Sequence, residues 1–416
     1  MNSRISSPVR HLAAAGALLA AASLPASAAA AVRPHAASPT APPPVTVLGS
    51  GHALSPGDVF ITPTSDTAQT QAEYANGAEI LTRAGRRVWW HAAPAGDTDA
   101  DLRVQRYEGK PVLTFWEGTG LGGLSNGTDY ILNQHEKVIA TVRAGNGLTT
   151  DGHEFLLAPH GRAWILSYDT ATADLSSIGG PSDQTVIDGI VQEIDVKTGK
   201  VLFSWNSADH VPYSQSEQPL PASAATPWDW FHVNAVKPGP GGSVLVSARD
   251  TWTVYDVSRA TGQVNWQLGG KASSFTLQAA PGQTLNAAND IFAWQHDPEW
   301  LGDDKLTIFD NEAAGAANTG TGVTSELPYS REVTVKLDPA TKVATLVASD
   351  DQPESGLASS QGDAQPLRHG GEFVGWGSLN SISQFNAAGT LVWNADLPIG
   401  VNTYRAYLQH WGTSAR

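Results

Sequence analysis

Three short phrases in this chain carry a histidine at the edge of a strand-like run: Asp151-Gly-His153-Glu-Phe155, Trp230-Phe-His232-Val-Asn234 and Trp294-Gln-His296-Asp297. A neutral imidazole near physiological pH is competent both as a base and as a nucleophile. Arg249, in Ser247-Ala-Arg249-Asp250, offers a planar fork of donors suited to tetrahedral oxyanions. Asn234 adds an amide two residues after His232, on the same face of an ideal strand. Together these groups suit transfer of an oxyanion group through a covalent histidine intermediate, a reaction that needs mostly positioning and charge stabilisation. Aromatics precede two of the histidines, and Trp230 and Trp294 are candidates to wall an aromatic substrate pocket.

Residues so far apart meet only if the fold gathers them. A phrase recurs along the chain: an apolar strand, a polar turn, then a strand that often holds tryptophan. Its clearest copy runs from Val191 to Trp205 through Asp195-Val-Lys-Thr-Gly199, and another from Val254 to Trp266 turns at Gly262. Asp, Thr and a glycine suited to positive φ make a turn, and alternation on both sides makes each copy a hairpin. A second hairpin with a Gly-rich turn precedes most copies, for example Val104–Phe115 around Gly109. Two hairpins make a four-stranded blade, and the array predicts an all-β, six-bladed propeller. The first blade lacks its innermost strand, and Tyr404–Gln409 at the other end is expected to supply it and close the ring.

Innermost strands line a propeller's channel. His153, His232 and His296 each open such a strand in consecutive blades, so one mouth of the channel should collect all three. The end of a second strand lies beside the start of the first, which places Arg249 next to His232. A lone histidine in such a fold is usually a hydrogen-bonded structural residue, and His35, His52, His91, His135, His160, His210, His369 and His410 share no comparable position. Arg249 has its own bland role available, a pairing with Asp250.

Composition narrows the function classes. Cysteine is absent and the formal net charge is −15. No thiol chemistry or Cys-rich zinc site is available, and an acidic protein is a poor partner for nucleic acid or anionic lipid. Arg4, Arg10, the apolar stretch to Leu24 and Ala26-Ser27-Ala28 read as a secretory signal peptide over residues 1–30. Residues 31–44 read as a disordered Ala/Pro linker, and 45–416 as a single propeller domain. A secreted or envelope-associated protein without a membrane span is expected.

With these elements in place the chain resembles the bacterial arylsulfate sulfotransferases, which use phenolic sulfate esters rather than a nucleotide sulfate donor. The resemblance lies in His232-Val-Asn234, Ser247-Ala-Arg249, Trp266-Gln-Leu-Gly-Gly270, Gln295-His296, Phe309-Asp-Asn311, and Tyr404-Arg405 with Trp411. It implies a six-bladed propeller that needs no cofactor and moves a sulfuryl group from an aryl sulfate donor to an acceptor phenol. By resemblance, His296 matches the histidine that is transiently sulfurylated, while His232, Asn234 and Arg249 match groups that hold the sulfuryl oxygens. His153 matches a further channel histidine. The chain departs from the family in having no cysteine where a structural disulfide is expected.

Other chemistries remain open to the same residues. Three imidazoles and a water also make a catalytic zinc-like site, and a propeller scaffold can use channel histidines to bind a ligand without turnover. Quinone-cofactor dehydrogenases share turns of the Asp-x-x-Thr-Gly type, but six blades and no cysteine argue against them.

Overall fold

The computed structural model describes residues 39–51, 54–120, 124–314, 324–325 and 327–412. The signal peptide and most of the linker read from the sequence lie outside them. Within the described residues the regular secondary structure is almost entirely strand, and turn chemistry shows why. Tyr107 pairs directly with Lys110 across Glu108-Gly109, whose φ values are 49° and 78°, the left-handed pair a tight hairpin requires. At Asp195-Val-Lys-Thr-Gly199 the Asp195 carboxylate accepts the Thr198 N–H at 2.8 Å, and Gly199 takes a φ of 70°.

Hairpins of these kinds build six blades, each with a four-stranded core. Blade 2 starts with Thr98–Tyr107 at the channel, blade 3 with Phe155–Ala158 and blade 4 with Val233–Pro238. Blade 5 starts with His296–Gly302 and blade 6 with Asp363–Pro366. Blade 1 is assembled from both ends of the chain. Val401–Gln409 supplies its innermost strand, pairing antiparallel with Asp58–Ser65 through contacts such as Phe60 with Tyr407. Closure by the C-terminal segment, expected from the missing strand, is thus observed. Three blades also carry a fifth strand: Thr276–Ala279 lies parallel to Val343–Asp351 in blade 5, Thr46–Ser50 lies antiparallel to Leu391–Asp396 in blade 6, and the short Trp228–Asp229 lies parallel to Gln184–Asp195 in blade 3.

Apolar faces pack between neighbouring blades. Trp205 of blade 3 is buried and donates its indole N–H to the Gly262 carbonyl of blade 4 at 3.0 Å. Trp393 of blade 6 lies 4.4 Å from the Arg83 guanidinium and donates to the Arg83 carbonyl at 3.0 Å.

The channel side is charged, a feature the apolar alternation did not foretell. Arg405 of blade 1 contacts Asp101 of blade 2 at 3.4 Å, Glu154 before blade 3 at 3.1 Å and Asp297 of blade 5 at 3.3 Å. Lys237 of blade 4 lies 3.1 Å from Glu154, 2.7 Å from Asp297 and 2.9 Å from Glu299. Arg103 pairs with Asp101 at 2.8 Å and with Glu154. Asp363 of blade 6 completes the circuit by accepting the Ala406 backbone N–H at 2.8 Å. Burial alone would protonate Glu154; Arg405, Lys237 and Arg103 hold it well below the usual carboxylate range instead. Removing one member of a buried ion network strands the others without compensation. Arg405→Ala is therefore expected to destabilise the protein by about 3–5 kcal/mol, read as a shift in the urea unfolding midpoint; an unchanged midpoint would refute this role.

Candidate active site

The three histidines stand at the strand starts the topology assigned them. His296 is the first residue of its strand, His232 precedes Val233, and His153 stands two residues before Phe155. Arg249 follows the last residue of blade 4's second strand, and its backbone N–H donates to the His232 carbonyl at 3.0 Å. This is the antiparallel adjacency that strand order dictates. The His153 and His232 rings meet edge to face at 5.2 Å. Tyr168 flanks both at about 6 Å, 6.1 Å from His153 and 6.0 Å from His232, while Tyr404 lies 5.7 Å from His153.

The site is deep. His153, His296 and Arg249 are at most 2% exposed and His232 8%. Asp229, with a side chain 22% exposed beside His232, marks the more open side. Several backbones here are held in the left-handed region, namely His232 at φ 53°, Trp294 at 57° and Gln361 at 65°. Conformations of this kind cost about 1–3 kcal/mol each and persist where surrounding structure enforces them.

Each imidazole has a different partner. His153 Nδ1 lies 2.5 Å from Asp151 Oδ1, and His232 Nδ1 lies 2.5 Å from Asp229 Oδ2. These are carboxylate-oriented rings, with Nε2 as the nitrogen left for other work. His296 Nδ1 instead meets Asn311 Oδ1 at 2.7 Å. The Asn311 amide nitrogen donates to the Ala358 and Gln361 carbonyls at 3.0 and 2.9 Å, so its oxygen can only accept from the ring. Nδ1 of His296 therefore carries the proton and Nε2 bears the lone pair, which takes a long 3.3 Å contact from the Gln361 N–H.

Electrostatics widen this difference. Burial, then the Arg249 charge, drive the His296 pKa well below its ordinary 6.5, and His153 and His232 add to the effect. For His232 burial also pulls the value down, but the Asp229 carboxylate and its hydrogen bond outweigh it and the pKa rises. Two rings in one site are thus pushed apart, the arrangement that separates a nucleophile or base from an acid.

Arg249 sits between neighbours. Its Nη1 donates to Asp250 Oδ1 at 2.8 Å and Nη2 to the Ser359 carbonyl at 2.8 Å, while Nε has no partner. The pairing with Asp250 anticipated as the bland alternative is present, yet it leaves a donor over. The guanidinium lies 5.0 Å from the Trp294 ring, which places Trp294 beside Arg249. Trp230 differs. It is fully buried, donates its indole N–H to Asp188 at 2.9 Å, and packs on Tyr213 at 4.7 Å. It belongs to the core between blades 3 and 4 because the left-handed turn at His232 carries the histidine, and not the tryptophan, toward the channel.

Asn234 also departs from simple alternation. The register shifts between Val233 and Ala235, and the Asn234 Nδ2 donates to the Gln295 carbonyl at 2.7 Å, fixing the residue before His296. Gln295 in turn donates to Ser247, Ala248 and Thr253 at 3.0–3.2 Å. The sequence reading assigned no role to Asp151, Asp229, Tyr168 or Gln295. The two aspartates had a visible signal, since each stands two or three residues before its histidine.

As a ligand set for a metal, the three histidines do not assemble. Among the described residues the groups with three donor atoms mutually within 4.8 Å are Asp229, His232 and Asp250, and His91, Asp99 and Glu117.

The arylsulfotransferase (ASST) family profile matches residues 103–397, spanning five blades and every histidine of the site. The chain belongs to the arylsulfotransferase family. No curated protein matches it. Among solved structures, this arylsulfotransferase is similar to a protein of unknown function from Bacteroides caccae at 12% identity, covering 84% of this chain and 98% of that one with a TM-score of 0.46. A putative 6-phosphogluconolactonase from Bacteroides fragilis matches at 10% identity over 85% and 98%, with a TM-score of 0.40. The WD40 domain of Neurospora crassa Pan2 matches at 10% identity over 89% and 81%, with a TM-score of 0.38.

The opposed shifts give a pH signature. An unfolded histidine titrates near 6.5. As pH falls below that value the unfolded chain takes up the proton that native His296 refuses, so this residue's contribution weakens stability on acidification. His232 has the opposite sign: its contribution is complete below about 6.5 and is lost as pH rises through its higher native pKa. Residue-resolved NMR at pH 6.5 should show His296 neutral and His232 mostly protonated, and Asp229→Asn should lower the His232 pKa. A charged His296 at that pH would overturn the assignment.

Proposed function

We propose that this arylsulfotransferase carries a sulfuryl group from an aryl sulfate ester to an acceptor phenol by way of His296. The observation that carries the reading is the fixed tautomer of His296: Nδ1 holds the proton, and the Nε2 lone pair takes a long 3.3 Å contact from the Gln361 N–H. In the first half-reaction Nε2 attacks sulfur, the sulfur–oxygen bond to the aryl group breaks, and the phenol oxygen leaves with that electron pair. His232, whose raised pKa suits an acid, gives the leaving oxygen a proton from Nε2. In the second half-reaction the acceptor hydroxyl returns a proton to His232, its oxygen attacks sulfur, and the sulfur–nitrogen bond breaks to regenerate neutral His296.

Arg249 supplies positive charge and an unused Nε–H for the sulfuryl oxygens, with a fixed orientation set by Asp250, Ser359 and Trp294. His153, oriented by Asp151 and edge-on to His232, adds a second imidazole on the same side. Depth matters too, because a site this closed to water favours the acceptor phenol over hydrolysis of the intermediate. The leader read at residues 1–30 extends the proposal to an exported protein, secreted or held at the cell envelope.

Two measurements test the mechanism. Purified protein given a chromogenic aryl sulfate should release phenol in proportion to added acceptor and show an adduct of about 80 Da on His296, the mass of SO₃ on a covalent intermediate. His296→Ala should lose both. Arg249→Lys, which keeps charge but not the fork, should lower kcat/KM by roughly 10²-fold. Full turnover without any adduct in a rapid quench, or an unaffected His296→Ala, would sink the covalent pathway.

A further inference from the structure

Away from the histidine site, a second cluster lies at the seam between blades 1 and 2. His91 comes from the outermost strand of blade 1, Arg87–Ala92. Asp99 and Glu117 face each other as direct partners on the two inner strands of blade 2. Two carboxylates directly opposite across strands repel one another. The conflict is sharpened by burial: Asp99 is fully buried, and neither of its carboxylate oxygens has a hydrogen-bond partner. A buried carboxylate without a donor is expensive, and such a group calls for an explanation in a ligand or ion.

The neighbouring atoms supply one. His91 Nε2 lies 2.7 Å from Glu117 Oε2 and 4.0 Å from Asp99 Oδ2, and one donor atom from each of the three residues falls within 4.8 Å of the other two. A zinc ion with ligand distances of about 2.0–2.2 Å holds its donors roughly 3.3 Å apart. The two separations from His91 bracket that spacing, so side-chain rotations would be enough to gather the three donors around one ion. His91 is the accessible member, with a side chain 36% exposed against 12% for Glu117. Both line a cleft of about 430 Å³ with Trp89, Phe115 and Tyr130, which gives an ion an entry path and leaves room for a water as a fourth ligand.

The geometry points to a divalent transition-metal site, of the class that binds zinc, formed by His91, Asp99 and Glu117. Mixed imidazole and carboxylate donors suit that class. The ion would neutralise the opposed carboxylates and tie the outer strand of blade 1 to the inner strands of blade 2, beside the blade that closes the ring. Its role is structural and separate from sulfuryl transfer.

Zinc(II) titrated into chelator-stripped full-length protein should bind by calorimetry at this site with one-to-one stoichiometry, and cobalt(II) should give visible d–d absorption of low-symmetry, four-coordinate type. The melting temperature should climb with zinc concentration, since an ion that binds only the native state stabilises it by mass action. His91→Ala, a half-exposed outer-strand change, should fold normally. It should weaken zinc by more than the roughly 10–100-fold lost when a mere outer partner of a ligand is removed, with turnover of aryl sulfate unchanged. Asp99→Asn, of nearly equal size, should do the same to zinc. No saturable zinc uptake would overturn the site. So would uptake undiminished in both variants, or uptake abolished only by Asp229→Asn, which would move the ion to the group around His232.

Discussion

Three cations, Arg103, Lys237 and Arg405, are buried on the channel side of the ring among Asp101, Glu154, Asp297 and Glu299. Withdrawing such groups from water costs several kcal/mol per ion unless the geometry returns it. Here the return depends on five of the six blades at once. Arg405 comes from the C-terminal strand, Asp101 and Arg103 from blade 2, Glu154 from the entry to blade 3, Lys237 from blade 4 and Asp297 from blade 5. A ring with one of these five blades missing or shifted would leave an uncompensated charge. The network therefore favours closure by Val401–Gln409 beyond what its backbone ladder alone provides.

The candidate site is tied directly to this network. Glu154 follows His153, Asp297 follows His296, and the Asn234 carbonyl accepts from Arg405 at 3.2 Å. Precision at the site is thus inherited from the ionic hub and not from loop packing. Neutral hydrogen bonds add a second layer on the other side: Asn311 fixes the His296 ring, and Gln295 and Asn234 fix the backbone just before it.

Within the site, division of labour follows from who faces each Nδ1. A carboxylate there raises basicity and favours imidazolium, as Asp229 does for His232. An amide oxygen orients the ring without adding charge, and with Arg249 nearby His296 stays neutral. The same residue type thereby acquires two states in one cleft. Arg249 contributes twice, as a candidate partner for sulfuryl oxygens and as a charge that adds to burial in keeping its neighbour unprotonated.

The sequence alone determined the architecture and which histidines and arginine converge. Strand alternation and Asp-x-x-Thr-Gly turns are local, so six blades, closure by the C-terminal segment and the placement of His153, His232, His296 and Arg249 at one mouth were all legible. The tertiary structure decided what is not local. Alternation could not show that His232 takes a left-handed φ, which sends Trp230 into the core and commits Asn234 to Gln295. Nor could composition show that Asp101, Glu154, Lys237, Asp297 and Arg405, spread over some three hundred residues of sequence, meet on the channel side, or that His91, dismissed for its position, faces two opposed carboxylates. Charge and proton state depend on distances between distant segments, and those distances exist only once the ring has closed.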